Sequence, residues 1–170
     1  MTKRAYNICL EMLEQRNYEI VSKEEVEQII ALKPDGNQVI VFFSDSLKFN
    51  VKNIQMYITI MDDLQIFHAI IVYKDSITAF TKKTIEQSLE MTFELFSIED
   101  LQYNITKHVL QPKFECLTEE ESIIFKKKYG NKFPTIRRDD PISKFYGFNR
   151  GNVIKITRPN NYISYSIVKG

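Results

Sequence analysis

The chain has no tryptophan and only two cysteines, two histidines, five glycines and five prolines in 170 residues. Two cysteines and two histidines are too few for a Cys/His metal site at the usual spacings. A phosphate loop needs glycines before Gly-Lys-Ser or Gly-Lys-Thr, and no such run occurs. The longest nearly apolar run, Phe67–Tyr73, is far too short to cross a bilayer. We therefore expect no metal, no cofactor and no membrane partner.

The two cysteines, Cys9 and Cys116, both lie among apolar residues. This setting predicts two reduced thiols in the core, which fits a reducing compartment. The N-terminal residues also lack the apolar segment of a signal peptide. We expect a chain that is not secreted and that works in the cytosol, the nucleus or a virion.

Charge is divided unevenly along the chain. Residues 1–100 carry 10 Lys and Arg against 16 Asp and Glu, whereas residues 101–170 carry 13 against 6. Such a contrast predicts two units with different surroundings. We place a first domain at residues 1–101 and a second at residues 102–170.

The first domain is predicted to begin with two helices. Apolar residues at helical spacing define the buried face of the first: Ala5, Ile8, Cys9, Met12 and Leu13. Ser22 followed by Glu25 is a capping-box pattern and predicts the start of the second. The buried face of this second helix carries three apolar residues: Val26, Ile29 and Ile30.

Apolar runs rich in β-branched and aromatic residues predict four strands: Val39–Phe43, Ile54–Ile60, Phe67–Tyr73 and Met91–Phe96. The third is apolar enough to be central in its sheet. A helix is predicted over Ala79–Leu89, and Asp62 and Asp63 predict a turn. The first domain is therefore a layered α/β unit with a small mixed sheet.

The second domain is predicted to hold two capped helices and a β-hairpin. Thr118 and Glu121 form a capping box for a helix over Glu119–Tyr129, which ends at Gly130. Asp140 caps a short helix that begins at Pro141 and ends at Gly147.

Gly151 then permits a tight turn into the hairpin strands Val153–Thr157 and Tyr162–Val168. The predicted class is α+β, with an α/β unit followed by a small helix–hairpin unit. So small a core leaves no room to enclose a small-molecule substrate.

Several polar residues have a functional and a structural interpretation. The triplet Lys126–Lys128 could contact phosphates, but we favour its pairing with the helix dipole. Three acids, Asp45, Asp62 and Asp63, could hold a metal for nuclease chemistry, but Asp is also common in turns. His68 and His108 lack a nucleophile-elbow context, and we assign both structural roles.

The run FPTIRRDDPISKFYGFNRGNVIKITRPNNYISYSIV resembles the C-terminal assembly domain of subunit 5 of eukaryotic RNA polymerases, a domain shared with the H-type subunit of archaeal polymerases. Matching positions are Asp140, Pro141, Tyr146, Gly147, Arg150, Gly151, Lys155, Ile156, Arg158 and Tyr165. The segments RAYNICLEMLEQRNYEIVSKEEVE and FHAIIVYKDSITAFTKK resemble the jaw domain of the eukaryotic protein.

This resemblance implies a non-catalytic subunit with no catalytic residues of its own. It implies that the C-terminal domain docks on the largest polymerase subunit and that the jaw-like domain lies beside downstream duplex DNA. Anchors for the largest subunit are then Phe145, Tyr146, Phe148, Arg150, Lys155 and Arg158. Asp140, Pro141, Gly147 and Gly151 are structural, and Tyr162 and Tyr165 belong to either the interface or the core.

Two other functions remain open at this point. The basic second domain could serve a free-standing nucleic-acid-binding protein, and the acids of the first could serve a metal nuclease. A shortened jaw and a sequence rich in Lys, Asn and Ile fit a large DNA virus. The expected location is then the nucleus or, for a viral protein, the virion or the cytoplasmic viral factory.

Overall fold

The computed structural model describes residues 3–24, 28–130 and 132–170. The chain divides into two compact units, Met1–Tyr103 and Asn104–Gly170. The division falls two residues after the predicted boundary. Both units combine helices with β-sheet, which confirms the α+β class.

The N-terminal unit is built on a five-stranded mixed sheet. In spatial order its strands are β1 (Glu19–Glu24), β2 (Gln28–Leu32), β3 (Gln38–Ser44), β5 (His68–Tyr73) and β7 (Thr92–Ser97). The first three pair antiparallel, and β3, β5 and β7 pair parallel. Two further short strands, β4 (Lys48–Phe49) and β6 (Ser76–Ile77), pair parallel beside it.

Helices cover both faces of this sheet. They are α1 (Lys3–Gln15), α2 (Val51–Leu64) and α3 (Ala79–Glu86). Phe42 of β3 stacks on Tyr57 of α2 with ring centroids 4.1 Å apart. The next residue, Phe43, packs on Tyr6 of α1 at 5.5 Å. Because neighbouring side chains of a strand point to opposite faces, α1 lies across the sheet from α2.

Several predicted elements of this unit are confirmed. Four residues of the predicted α1 face are buried: Ala5, Cys9, Met12 and Leu13. The strands predicted at Val39–Phe43, Phe67–Tyr73 and Met91–Phe96 correspond to β3, β5 and β7. The second of these is central, since β5 lies between two parallel partners with four consecutive buried residues. The helix predicted over Ala79–Leu89 is α3, which ends three residues earlier.

The predicted second helix is wrong, because this segment forms strands β1 and β2. Ser22 pairs with Ile30 in an antiparallel ladder instead of capping a helix. Burial along β2 alternates, with Ile29 and Ala31 inside, which is the period of a strand. Glu25 and Val26 lie outside the described residues.

The predicted strand Ile54–Ile60 is also wrong, because these residues lie in α2. Their alternation mimics a strand, but Ile54, Tyr57 and Met61 are the residues that α2 buries, at spacings of three and four. Asn50 caps the helix: its side chain accepts from the Lys52 amide, and Asn53 completes a capping box. The turn predicted at Asp62 and Asp63 is therefore the last turn of α2.

The C-terminal unit is a four-stranded sheet with two helices. In spatial order the strands are β8 (Lys113–Cys116), β10 (Val153–Thr157), β11 (Ile163–Lys169) and β9 (Thr135–Arg137). The helices are α4 (Glu119–Tyr129) and α5 (Pro141–Tyr146). Strands β10 and β11 form the predicted antiparallel hairpin, and β8 and β9 extend it on either side.

Within the ranges the structure describes, no helix is both long enough and apolar enough to span a bilayer.

The prediction of two core thiols is half wrong, because Cys9 is buried but Cys116 is exposed. Cys116 ends β8, an edge strand of its sheet. Burial raises the pKa of the Cys9 thiol to about 12.

We expect a thiol-specific disulfide reagent at pH 8 to modify Cys116 and not Cys9 in the folded chain. The reason is that the reacting species is the thiolate, which Cys9 does not form at that pH. The absorbance of the chromophore that the reagent releases should correspond to one modified thiol per chain before denaturation and to two after it. Two thiols modified at one fast rate in the folded chain would contradict this burial.

Candidate docking surface of the C-terminal unit

The predicted helix–turn–strand at residues 140–157 forms as its residues dictate. An Asp140 side-chain oxygen accepts from the Ile142 amide at 2.9 Å, and Pro141 occupies the first turn, where no N–H partner is needed. Gly147 ends α5 with φ 67°, a left-handed conformation that favours glycine. Gly151 turns the chain into β10 with φ 89°. These residues fix the path of the backbone.

The aromatic residues of this segment form the core of the unit. Phe145 is 1% exposed and Phe148 is 7% exposed. The half-buried Tyr146 stacks on Phe148 at 5.2 Å and meets Phe145 edge-on at 6.2 Å. Phe148 packs on Ile154 and Val168 of the hairpin. Burial removes Phe145 and Phe148 from the surface that a partner could touch without rearrangement.

The predicted cationic anchors are not brought together. Arg150 lies before β10 and Arg158 after it, and both are exposed. The five residues of β10 between them span about 16 Å at about 3.3 Å per residue. Lys155 points to the face opposite the aromatic core, where its Nζ lies 3.9 Å from Glu115 Oε2. These three side chains can contact a partner at separate points, but they do not form one anion site.

Most exposed apolar side chains on this unit were not predicted from the sequence as contact residues. Tyr162, predicted for either the interface or the core, is exposed. The exposed residues that were not predicted are Val109, Leu110, Ile123, Ile124, Tyr129 and Ile163. Val109 and Leu110 are held in a turn, because His108 Nδ1 accepts from the Leu110 amide at 3.2 Å and the His108 carbonyl accepts from the Gln111 amide at 2.9 Å. His108 thus has the structural role predicted for it.

The lysine triplet divides into one structural and two exposed residues. Lys126 Nζ donates to the Gly151 carbonyl at 2.9 Å and so joins α4 to the turn before β10. Lys127 and Lys128 are exposed at the C-terminal end of α4, where they complement the helix dipole. Thr118 and Glu121 form the predicted capping box at the other end.

The polar residues of the N-terminal unit form a buried ion cluster rather than a site on the surface. Arg16 at the end of α1 donates two hydrogen bonds to Glu94 of β7, at 2.9 and 2.7 Å. His68 Nε2 of β5 lies 2.8 Å from the same carboxylate. Burial opposes ionisation of Glu94, but the Arg16 charge and the hydrogen bonds outweigh it and hold its pKa at about 2. His68 is structural, as predicted.

The acids considered for a metal do not converge. Asp45 follows the carboxyl end of β3, whereas Asp62 and Asp63 lie at the far end of α2. Fourteen residues of helix separate these ends by about 20 Å. Within the described part of the chain, no three His, Cys, Asp or Glu side chains lie close enough together to hold a metal ion.

Comparison with known proteins identifies the class of this chain. The family model described as RNA polymerase Rpb5, C-terminal domain, matches residues 103–168. A DNA-directed RNA polymerases I, II, and III subunit, rpabc1 of Dictyostelium discoideum, is 35% identical over 98% of this chain and 90% of its own length. A putative DNA-directed RNA polymerase subunit, 454R of Invertebrate iridescent virus 6, is 33% identical over 99% of this chain and 100% of its own length.

A third relative is subunit 5C of DNA-directed RNA polymerase V from Arabidopsis thaliana, which is 28% identical over 92% of this chain and 78% of its own length. All three relatives are subunits of DNA-directed RNA polymerases, and two of them match nearly the whole chain. The chain belongs to the Rpb5 family of RNA polymerase subunits. The resemblance found in the sequence is therefore confirmed.

Proposed function

We propose that this chain is a non-catalytic subunit of a multi-subunit DNA-directed RNA polymerase. Its C-terminal unit docks on the largest subunit, and its N-terminal unit lies beside downstream duplex DNA as a jaw. The observation that carries the proposal is the match to polymerase subunits along nearly the entire chain. Eukaryotic and viral relatives fit a place of action in the nucleus or at sites of viral transcription.

The surface of the C-terminal unit supports docking on a protein. The unit combines the buried residues Phe145, Phe148 and Ile154 with exposed apolar and cationic side chains. Arginine and aromatic side chains on a rigid support are the usual anchors of protein interfaces. We assign direct contact to the partly or fully exposed members of the predicted set: Tyr146, Arg150, Lys155 and Arg158.

The alternative, a free-standing nucleic-acid-binding protein, has less support. It uses the excess of 13 Lys and Arg over 6 Asp and Glu after residue 100. Of the predicted cations, however, Arg150 and Arg158 lie beyond opposite ends of β10, and Lys155 lies within the strand beside Glu115. A track for phosphates needs cations aligned along one surface.

The double variant Arg150→Ala, Arg158→Ala tests the proposed contacts. We expect it to weaken capture of the co-expressed largest subunit by about tenfold or more, because exposed arginines at an interface bind by charge and by packing. Arg4→Ala, which removes an exposed arginine from the N-terminal unit, is the matched control and should capture normally. Normal capture by the double variant would refute this choice of contacts.

A further inference from the structure

Helix α4 has an inner face that is packed and an outer face that carries apolar side chains in solvent. On the inner face, the Phe125 ring lies 4.4 Å from Tyr165 and 4.8 Å from Phe133, measured between centroids. On the outer face, Ile123 is 61% exposed and Ile124 is 67% exposed. Two adjacent isoleucines in solvent, on a helix that is already anchored by its other side, leave apolar surface for a partner.

The outer face also has charges of opposite sign at its two ends. At 100° per residue, the side facing away from Phe125 carries Glu120, Ile123, Ile124 and Lys127, with Glu119 at its edge. Neither Glu120 nor Lys127 has an opposite charge three or four positions away on the helix, so α4 does not pair these two charges internally. An acid and a lysine thus lie on either side of an apolar centre.

This arrangement is complementary to itself. If a two-fold axis passes between Ile123 and Ile124, a second α4 runs antiparallel to the first. The axis then brings Glu120 of each helix beside Lys127 of the other and packs Ile123 and Ile124 of the two helices together. An interface between identical chains about a two-fold axis requires this kind of self-matching pattern.

We propose that the outer face of α4 is an interaction surface for a second copy of this chain. The antiparallel pair buries four isoleucine side chains between the helices, opposes their dipoles favourably and places each Glu120 beside a Lys127. Isoleucine burial provides the driving force, and the charges fix the antiparallel orientation. This proposal does not rest on the proposed polymerase function, since it concerns the free chain.

The pairing is expected to be weak. A helix of 11 residues offers less than the roughly 1,200 Å² that a stable specific interface buries in total. Association should therefore depend on concentration and decline with salt, which screens exposed ion pairs. We expect this pairing only for the free chain at high concentration.

Sedimentation of the full chain from about 10 µM to about 1 mM, the range that reveals weak association, tests the proposal. We expect the mean mass to rise toward twice that of the monomer. The variant Ile123→Ser, Ile124→Ser should stay monomeric. The matched control Met56→Ser, which alters an exposed apolar residue of α2, should associate like the unaltered chain.

Charge variants make the test specific to α4. Glu119→Lys, Glu120→Lys gives an all-basic face, and Lys127→Glu, Lys128→Glu gives an all-acidic face. Each alone should be monomeric, whereas an equimolar mixture should form a one-to-one pair. Circular dichroism melting checks that each variant is folded. A monomeric unaltered chain throughout the range, association that survives the isoleucine changes, or a mixture that fails to pair would each overturn the proposal.

Discussion

Replacing Glu94 with alanine is expected to lower the free energy of unfolding of the N-terminal unit by about 3 kcal/mol or more. The Arg16 side chain is 4% exposed and that of Glu94 is 17% exposed. Removing the carboxylate leaves a buried guanidinium without its bidentate acceptor, and His68 loses the same oxygen. The cluster joins α1, β5 and β7, so the loss affects three elements at once.

Urea unfolding followed by circular dichroism measures this effect. Glu90→Ala, which removes an exposed carboxylate four residues earlier, is the matched control and should change stability by less than about 0.5 kcal/mol. Equal stabilities of the two variants would show that the ion cluster does not hold α1 to the sheet.

The same carboxylate makes stability depend on pH. The folded-state pKa of Glu94 is about 2, below its ordinary value of 4.5. A depressed pKa stabilises the fold at pH values above 4.5, and this contribution is lost as pH falls toward 2. The shift corresponds to about 3 kcal/mol at about 1.4 kcal/mol per pH unit. The chain with Glu94→Ala should lack this part of the acid sensitivity, and an unchanged pH slope would contradict it.

Replacing Phe145 with alanine is expected to destabilise the C-terminal unit by about 3 to 5 kcal/mol. The Phe145 ring is fully enclosed, meets Tyr146 edge-on and lies on the one helix that joins β9 to β10. Its removal leaves a cavity in a unit of fewer than seventy residues. A unit of this size has a small free energy of unfolding, so the loss is a large part of it. The result separates a core role from the docking role predicted from the sequence.

Hydrogen exchange of the β10 amides measures this loss in the full chain. We expect exchange to be faster by at least about a hundredfold, because each 1.4 kcal/mol changes an opening equilibrium about tenfold. Tyr162→Ala, which removes an exposed ring at the hairpin turn, is the control, and its β10 amides should exchange at the original rate. A Phe145→Ala chain with unchanged exchange but lost docking would restore the interface interpretation.

The C-terminal unit was the more predictable part of the fold. Its helices begin at Thr118 and Asp140 and its turns contain Gly147 and Gly151, and each of these signals acts over three or four residues. Local signals of this kind can be recognised in a sequence without knowledge of the tertiary structure. Strands β8 and β9 were not predicted, since only pairing with the hairpin makes these short segments strands.

The N-terminal unit was harder to predict because its apolar patterns are ambiguous over short windows. Ile54–Ile60 alternates like a strand and yet is helical, and the overlooked signal was the capping box of Asn50 and Asn53. Ile29 and Ile30, after the capping pattern at Ser22, fit a helix until β2 pairs with β1 and β3. In the candidate site, the sequence placed aromatics and cations side by side, but it could not show that Phe145 and Phe148 turn inward. Burial is a property of the assembled sheet.

The most direct test of the central proposal is purification of the tagged chain from its native source, with its partners identified by mass. Membership in a polymerase predicts that the two largest polymerase subunits are recovered together with the tagged chain at one copy each, and that this complex survives salt that removes nucleic acid. Recovery of the chain alone, or with nucleic acid and no large polymerase subunit, would contradict the account.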